Sequence, residues 1–124
     1  MGIGEIAGIV RESPSIDWRI QIDAIKQLAS KGYCIDAEET GKFLLDHMEG
    51  ERTPLLELLG EICIQEKRYR QAADYYLQAQ KEAAQETEAN RYLVIAADAY
   101  YRNGDYDLAA AIYWERHRRE ADDE

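Results

Sequence analysis

Proline, cysteine, histidine and phenylalanine are all scarce in this chain: two, two, two and one among 124 residues. With only two prolines and eight glycines, turn-forming residues are too few for a many-stranded β fold, and helices are expected instead. Cys34 and Cys63 lie far apart, without the paired spacing of a zinc ribbon or a disulfide framework, and read as reduced core thiols of a cytoplasmic protein. His47 and His117 form no His-x-x-x-His pair, so no metal site is expected. His47, in Asp46-His47-Met48-Glu49, reads as a surface residue at a helix end, where the dipole favours it. His117 sits in Arg116-His117-Arg118-Arg119, cations that suit a helix C-terminus; contact with a phosphate or an acidic partner is the lesser reading. No apolar run approaches the roughly 20 residues of a membrane span. The apolar start is short and broken by Glu5, which argues against a secretory signal. Ile6 stands where a myristoylated Met1-Gly2 start would need Ser or Thr.

Positive charge is also in deficit. Against 25 acidic residues stand 15 basic ones, a net charge of -10. That opposes nonspecific binding to nucleic acid or to an anionic membrane and suits basic partners. There is no nucleophile elbow, and Gly2-Ile3-Gly4 is too short for a phosphate loop. Carboxylates abound, but nothing marks a pocket that would separate the pKa values of an acid and a base. Neither catalysis nor a cofactor is expected.

What the chain does have is helical periodicity. Its length favours a single domain, residues 1–124, able to bury roughly two thirds of its unfolded surface. Residues 1–12 carry Ile3, Ile6, Ile9 and Val10 at helical spacing, weakened by Gly2, Gly4 and Gly8. They read as a short docking helix, or else as a mobile partner-binding segment. Ser13-Pro14-Ser15 breaks the chain, with Ser15 as a cap. Residues 16–50 then form a hairpin. The first helix, 16–30, buries Trp18, Ile22, Ile25 and Ala29, broadened by Ile20, Ala24 and Leu28, and stops at Lys31-Gly32. The second is capped by Asp36 with Glu39, turns Ala37, Gly41, Leu44, Leu45 and Met48 inward, and stops at Gly50. Mid-helix Gly41 marks a close crossing. Thr53 caps a third helix, with Pro54 at its first position, running to about Glu66. A fourth covers about 70–84, a break falls at Gln85-Glu86-Thr87, and a fifth reaches about Arg102. The sixth runs from Asp105 or Tyr106 to about Arg119, leaving residues 120–124 as a frayed acidic tail.

The last four helices repeat. Leu56, Gly60, Tyr69, Ala72, Ala73 and Tyr76 recur as Leu93, Ala97, Tyr106, Ala109, Ala110 and Tyr113, each about 37 residues later, in the range of helical solenoids. Small residues (Gly60, Ala72, Ala97, Ala109) let backbones cross closely. Tyr69, Tyr76, Tyr106 and Tyr113 fill the gaps between hairpins, while Tyr75, Tyr92 and Tyr101 are left unexplained. The spacing Leu56, Leu59, Gly60, Cys63, Tyr69, Ala72, Tyr76, Ala79 resembles the tetratricopeptide repeat, as does Leu93, Ala96, Ala97, Tyr100, Gly104, Tyr106, Ala109, Tyr113. Residues 53–86 and 87–119 are the two copies. Three departures stand out: an interval about three residues longer than the family's 34, Lys67-Arg68 in place of a glycine turn, and Arg116 in place of the last small residue. Residues 16–50, where Ile20 and Ala24 match Leu56 and Gly60 but Gln27 and Thr40 match nothing, are a diverged repeat or a capping hairpin. The resemblance implies an all-α fold of six or seven helices, its antiparallel hairpins stacked as a right-handed superhelix.

It also implies a function. In this family the first helix of each hairpin lines a concave, partner-binding face. Here that face collects Glu57, Glu61, Ile64 and Gln65 from one hairpin, and Arg91, Val94, Asp98, Tyr101 and Arg102 from the next. Glu57 and Glu61 stand where carboxylate-clamping members carry Lys and Asn, so the expected partner is a basic or mixed-charge peptide or protein, anchored by Tyr101 and Ile64. The sixth helix is apolar without interruption from Leu108 to Trp114, whereas a terminal repeat should show a polar outer face. Leu108, Ile112 and Trp114 are therefore expected to meet segment 3–11, a second copy or a partner. The expectation is a cytoplasmic adaptor or scaffold; its alternative is a subunit that self-associates through the last helix.

Overall fold

The computed structural model describes residues 18–122. The segment 1–12, the Ser13-Pro14-Ser15 break, the first two residues of the predicted 16–30 helix, and residues 123 and 124 lie outside the described residues. Within them are six helices: α1 (Trp18–Ser30), α2 (Cys34–His47), α3 (Thr53–Gln65), α4 (Tyr69–Glu82), α5 (Glu86–Asn103) and α6 (Tyr106–Asp122). No strand occurs among the described residues. Each helix packs on the next along the chain, and α1 also touches α3.

The turns inside the three hairpins share one backbone design. Gly32, Lys67 and Gly104 all take left-handed conformations, with φ of 91°, 59° and 88°. The amide of each bonds a carbonyl three residues back (Ala29, Ile64, Tyr101) at 2.9–3.0 Å, and the amide after it bonds one five residues back (Leu28, Cys63, Tyr100) at 2.8–3.0 Å. These are paired C-terminal closures of the Schellman type, which satisfy the last carbonyls of a helix. The next helix opens the same way each time: Ala37, Ala72 and Ala109 donate to Tyr33, Arg68 and Asp105 at 2.9–3.1 Å. All three alanines are buried. The lack of a glycine at Lys67-Arg68 therefore changes no geometry; Lys67 itself adopts the left-handed turn.

The core runs through the hairpins as one cluster. Leu55, Leu56, Leu59, Ile62 and Cys63 of α3 sit at its centre, between Leu44 of α2 and Ala72, Ala73 and Tyr76 of α4. Two glycines permit the tightest approaches. A methyl group on Gly41 would stand 2.7 Å from Leu59 Cδ2, and one on Gly60 would stand 2.6 Å from Tyr76 Cε2. The expected crossing at Gly41 is thus present, and its partner is α3. The expected inward set Ala37, Gly41, Leu44 and Leu45 of α2, with Met48 just past its last residue, is buried.

Several expectations are corrected. Asp36 does not cap α2: the helix starts at Cys34, with Tyr33 at the cap position and no side-chain cap bond, because the three-residue turn feeds straight into it. Thr53 is not a cap either. It is the first residue of α3, Arg52 holds the cap position, and the Thr53 hydroxyl donates to Glu51 Oε1 at 3.0 Å. The break after α4 falls at residues 83–85, since Ala83 and Gln85 are extended; Glu86 lies in the first turn of α5, where the helix dipole favours an acid. The helix α6 continues to Asp122, so residues 120–122 are not a tail.

Burial also corrects the stripe on α1. Ile20 is 67% exposed while Gln21 is buried. The turns set a register in which Gln21 and Ile25, rather than Ile20 and Ala24, correspond to Leu56 and Gly60. Tyr106 and Tyr113, expected to fill gaps between hairpins, are 61% and 44% exposed, because no described hairpin follows α6.

Candidate partner-binding site

The nine residues of the predicted face come from α3 and α5, and the structure joins them at one end. Arg91 grips Glu57 with both arms: Nη1 donates to Oε1 at 3.0 Å and Nη2 to Oε2 at 3.3 Å. The Tyr92 hydroxyl lies 3.1 Å from Glu57 Oε2 and 2.8 Å from Glu88 Oε1, and donates its one proton between them. The Arg91 guanidinium covers the Tyr92 ring, 4.7 Å from its centroid. The bonds from Arg91, opposed by burial, hold the Glu57 carboxyl below the usual glutamate range. Glu57 is therefore a neutralised strut between two helices, and the expectation that it confronts a ligand as a bare charge is corrected.

Glu61, one turn further along α3, is different. Among the described residues it accepts no hydrogen bond and forms no ion pair. Burial and the neighbouring Glu57 charge push its pKa up, while Lys26 and Arg91 pull it down. Ile64 and Val94 are half-buried, and Gln65 is exposed. At the far end of α5, Asp98 and Arg102 pair at 3.0 Å. The Arg102 guanidinium lies 5.9 Å from the Tyr69 ring centroid, and Tyr101, 60% exposed, meets Tyr106 edge-on with centroids 5.1 Å apart.

Three features escaped the sequence reading. Tyr92 is among the largest fully buried side chains, and its ring meets Tyr76 with centroids 6.2 Å apart; its place four residues after Glu88 was the one local hint of its bond. A groove of about 660 Å³ opens on α1, lined by Trp18, Arg19, Ile22, Asp23, Lys26, Met48, Glu51 and Pro54. Trp18, Ile22 and Lys26 recur at helical spacing, but apolar periodicity does not separate a core stripe from the wall of an open groove. Lastly, Glu38 of α2 is buried and bound by Arg68 at the second hairpin turn, with Nη1 donating to Oε1 at 3.3 Å, and by Lys42 at 3.0 Å. Arg68 above all holds its carboxyl low.

The second predicted surface is on α6. Leu108 is 40% exposed, Trp114 66% and Ile112 half-buried. Ala109 is the only buried side chain among those described on this helix. Cys34 and Cys63 are free and buried, and burial pushes the Cys63 thiol up to about 11. Among the described residues no three His, Cys, Asp or Glu side chains converge as a metal site, and no described helix is long and apolar enough to cross a membrane. Comparison with protein-family models, curated proteins and solved structures finds no match to this chain.

Proposed function

We propose that the chain is a protein-interaction scaffold built of three tetratricopeptide-like hairpins, residues 16–50, 53–86 and 87–119, stacked as a superhelix. The common turn geometry and the buried alanine behind each turn support including the first hairpin as a diverged copy. The face formed by α3 and α5 takes a peptide or protein segment of basic or mixed charge. Glu61 carries this reading: it is an exposed carboxylate beside the Glu57 strut that no described side chain bonds or pairs with, and a partner's Lys or Arg would complete it. Tyr101, beside Tyr106 and Arg102, supplies an aromatic anchor of the kind that dominates interfaces. The two free buried thiols accord with a reducing, cytoplasmic setting.

Calorimetry with a partner captured on the full chain tests this. Glu61→Lys and Tyr101→Ala each fall on exposed side chains, so both variants fold, and each is expected to weaken binding about tenfold or more. Unchanged affinity in both would remove the face from consideration. Glu57→Lys is the wrong probe, since it breaks the strut to Arg91 and Tyr92. A second reading, self-association through α6, is favoured by the exposed apolar side chains there.

A further inference from the structure

The hairpins bury a recurring surface against one another, and the described part of the chain ends with both halves of that surface unused. In the register set by Gly32, Lys67 and Gly104, Ile20 of α1, Leu55 of α3 and Tyr92 of α5 are equivalent. Leu55 and Tyr92 are fully buried, whereas Ile20 is 67% exposed. Each of the two meets the hairpin before it. The space over Gly41 is filled by Leu59 and Leu55, and Tyr92 packs on Tyr76. Gly41 and Tyr76 are equivalent positions on α2 and α4, and the third member of that set is Tyr113 of α6, 44% exposed. Each joint thus seats the Leu55-type residue of one hairpin against the Tyr76-type residue of the hairpin before it.

We propose that a second copy of the chain completes the pattern: Tyr113 on α6 of one molecule packs against Ile20 on α1 of the next. The neighbouring α1 position, Ala24, is small and only half-buried. Its equivalents Leu59 and Ala96 are fully buried, so the joint has room for the tyrosine ring. The contact is head-to-tail. It uses two different surfaces, satisfies one and leaves the other open, and so propagates instead of closing at a dimer. The proposal rests on the repeat register of the preceding reading but not on its peptide-binding face.

Sedimentation velocity on the full chain over a concentration series tests it. The expected result is a mass that rises with concentration past that of a dimer. Ile20→Glu and Tyr113→Glu alter exposed side chains, and circular dichroism verifies their folding. Each alone stays monomeric, its association weakened about tenfold or more. Mixed in equal amounts they form a one-to-one pair and nothing larger, because each retains one sound end. A wild-type chain that stays monomeric throughout would overturn the proposal, as when residues 1–17 of the same molecule cover Ile20. Dimers of Ile20→Glu alone would overturn it in favour of symmetric α6 pairing. Loss of self-association with partner binding intact separates this contact from the α3–α5 face.

Discussion

Lys67 does the work of a glycine. Its φ of 59° places a side chain in the left-handed region, which costs a non-glycine residue about 1–2 kcal/mol. The side chain is exposed, so little is lost by removing it. Lys67→Gly is expected to raise stability by about 0.5–1 kcal/mol, after the extra flexibility of glycine in the unfolded chain offsets part of the gain. Urea denaturation measures this, with an unchanged slope showing that only the turn was altered. The sequence did mark the spot, as the position where a glycine was missing. It could not say whether the loop changed to suit lysine or lysine yielded to the loop. The pair of backbone bonds that closes the turn decides that, and those bonds leave no trace in side-chain identity.

Between elements, the strongest polar link on the candidate face is Glu57 on α3 with Arg91 and Tyr92 on α5. Because Arg91 lowers the Glu57 pKa, this link stabilises the fold fully above the ordinary glutamate value near 4.5. Its contribution is lost as pH falls through the lowered folded value. Glu57→Gln is expected to cost about 1 kcal/mol at neutral pH, on the scale of a half-exposed charge pair with its hydrogen bonds. The difference from wild type should shrink towards zero on acidification. Thermal melts across pH measure it with both chains carrying Glu61→Gln, because Glu61, its pKa raised by burial and by the Glu57 charge itself, contributes with the opposite sign: its term falls as pH rises. Helix existence was legible at this scale, because periodic apolar residues and Gly32, Gly50 and Gly104 announced it. Helix starts were less so. Asp36 and Thr53 resemble caps in sequence, yet short turns put both inside their helices. The strut itself was not legible, because a carboxylate lining a groove and a carboxylate held by an arginine 34 residues away look alike on one line of text.

For the molecule as a whole, packing is uneven. The helix α3 is covered by α2 and α4 and also touches α1, whereas α6 packs chiefly on α5 and buries only Ala109 among its described side chains. Apolar contact sets local stability, so in dilute protein the amides of α6 are expected to exchange with deuterium at a lower opening free energy than those of α3 and α4. Mass spectrometry of exchanged peptides would show it, and equal protection across all helices would contradict it. The same unevenness explains why one aromatic pattern had two outcomes. Tyr76 and Tyr113 share a repeat position, but among the described residues only Tyr76 has a hairpin packed beyond it. The one-residue slip at Ile20 has a different cause: Ile20 lies at the edge of the apolar face of α1, where periodicity does not separate a buried position from an exposed one.

The three matching turns bear on which residues the chain tolerates as well as on its shape. A bend tied by main-chain atoms asks of its letters one thing only, a residue that tolerates the left-handed conformation, and is indifferent to the side chains on either side of it. A lysine can therefore stand at the middle bend, at the strain given above, where the other two hairpins have glycine.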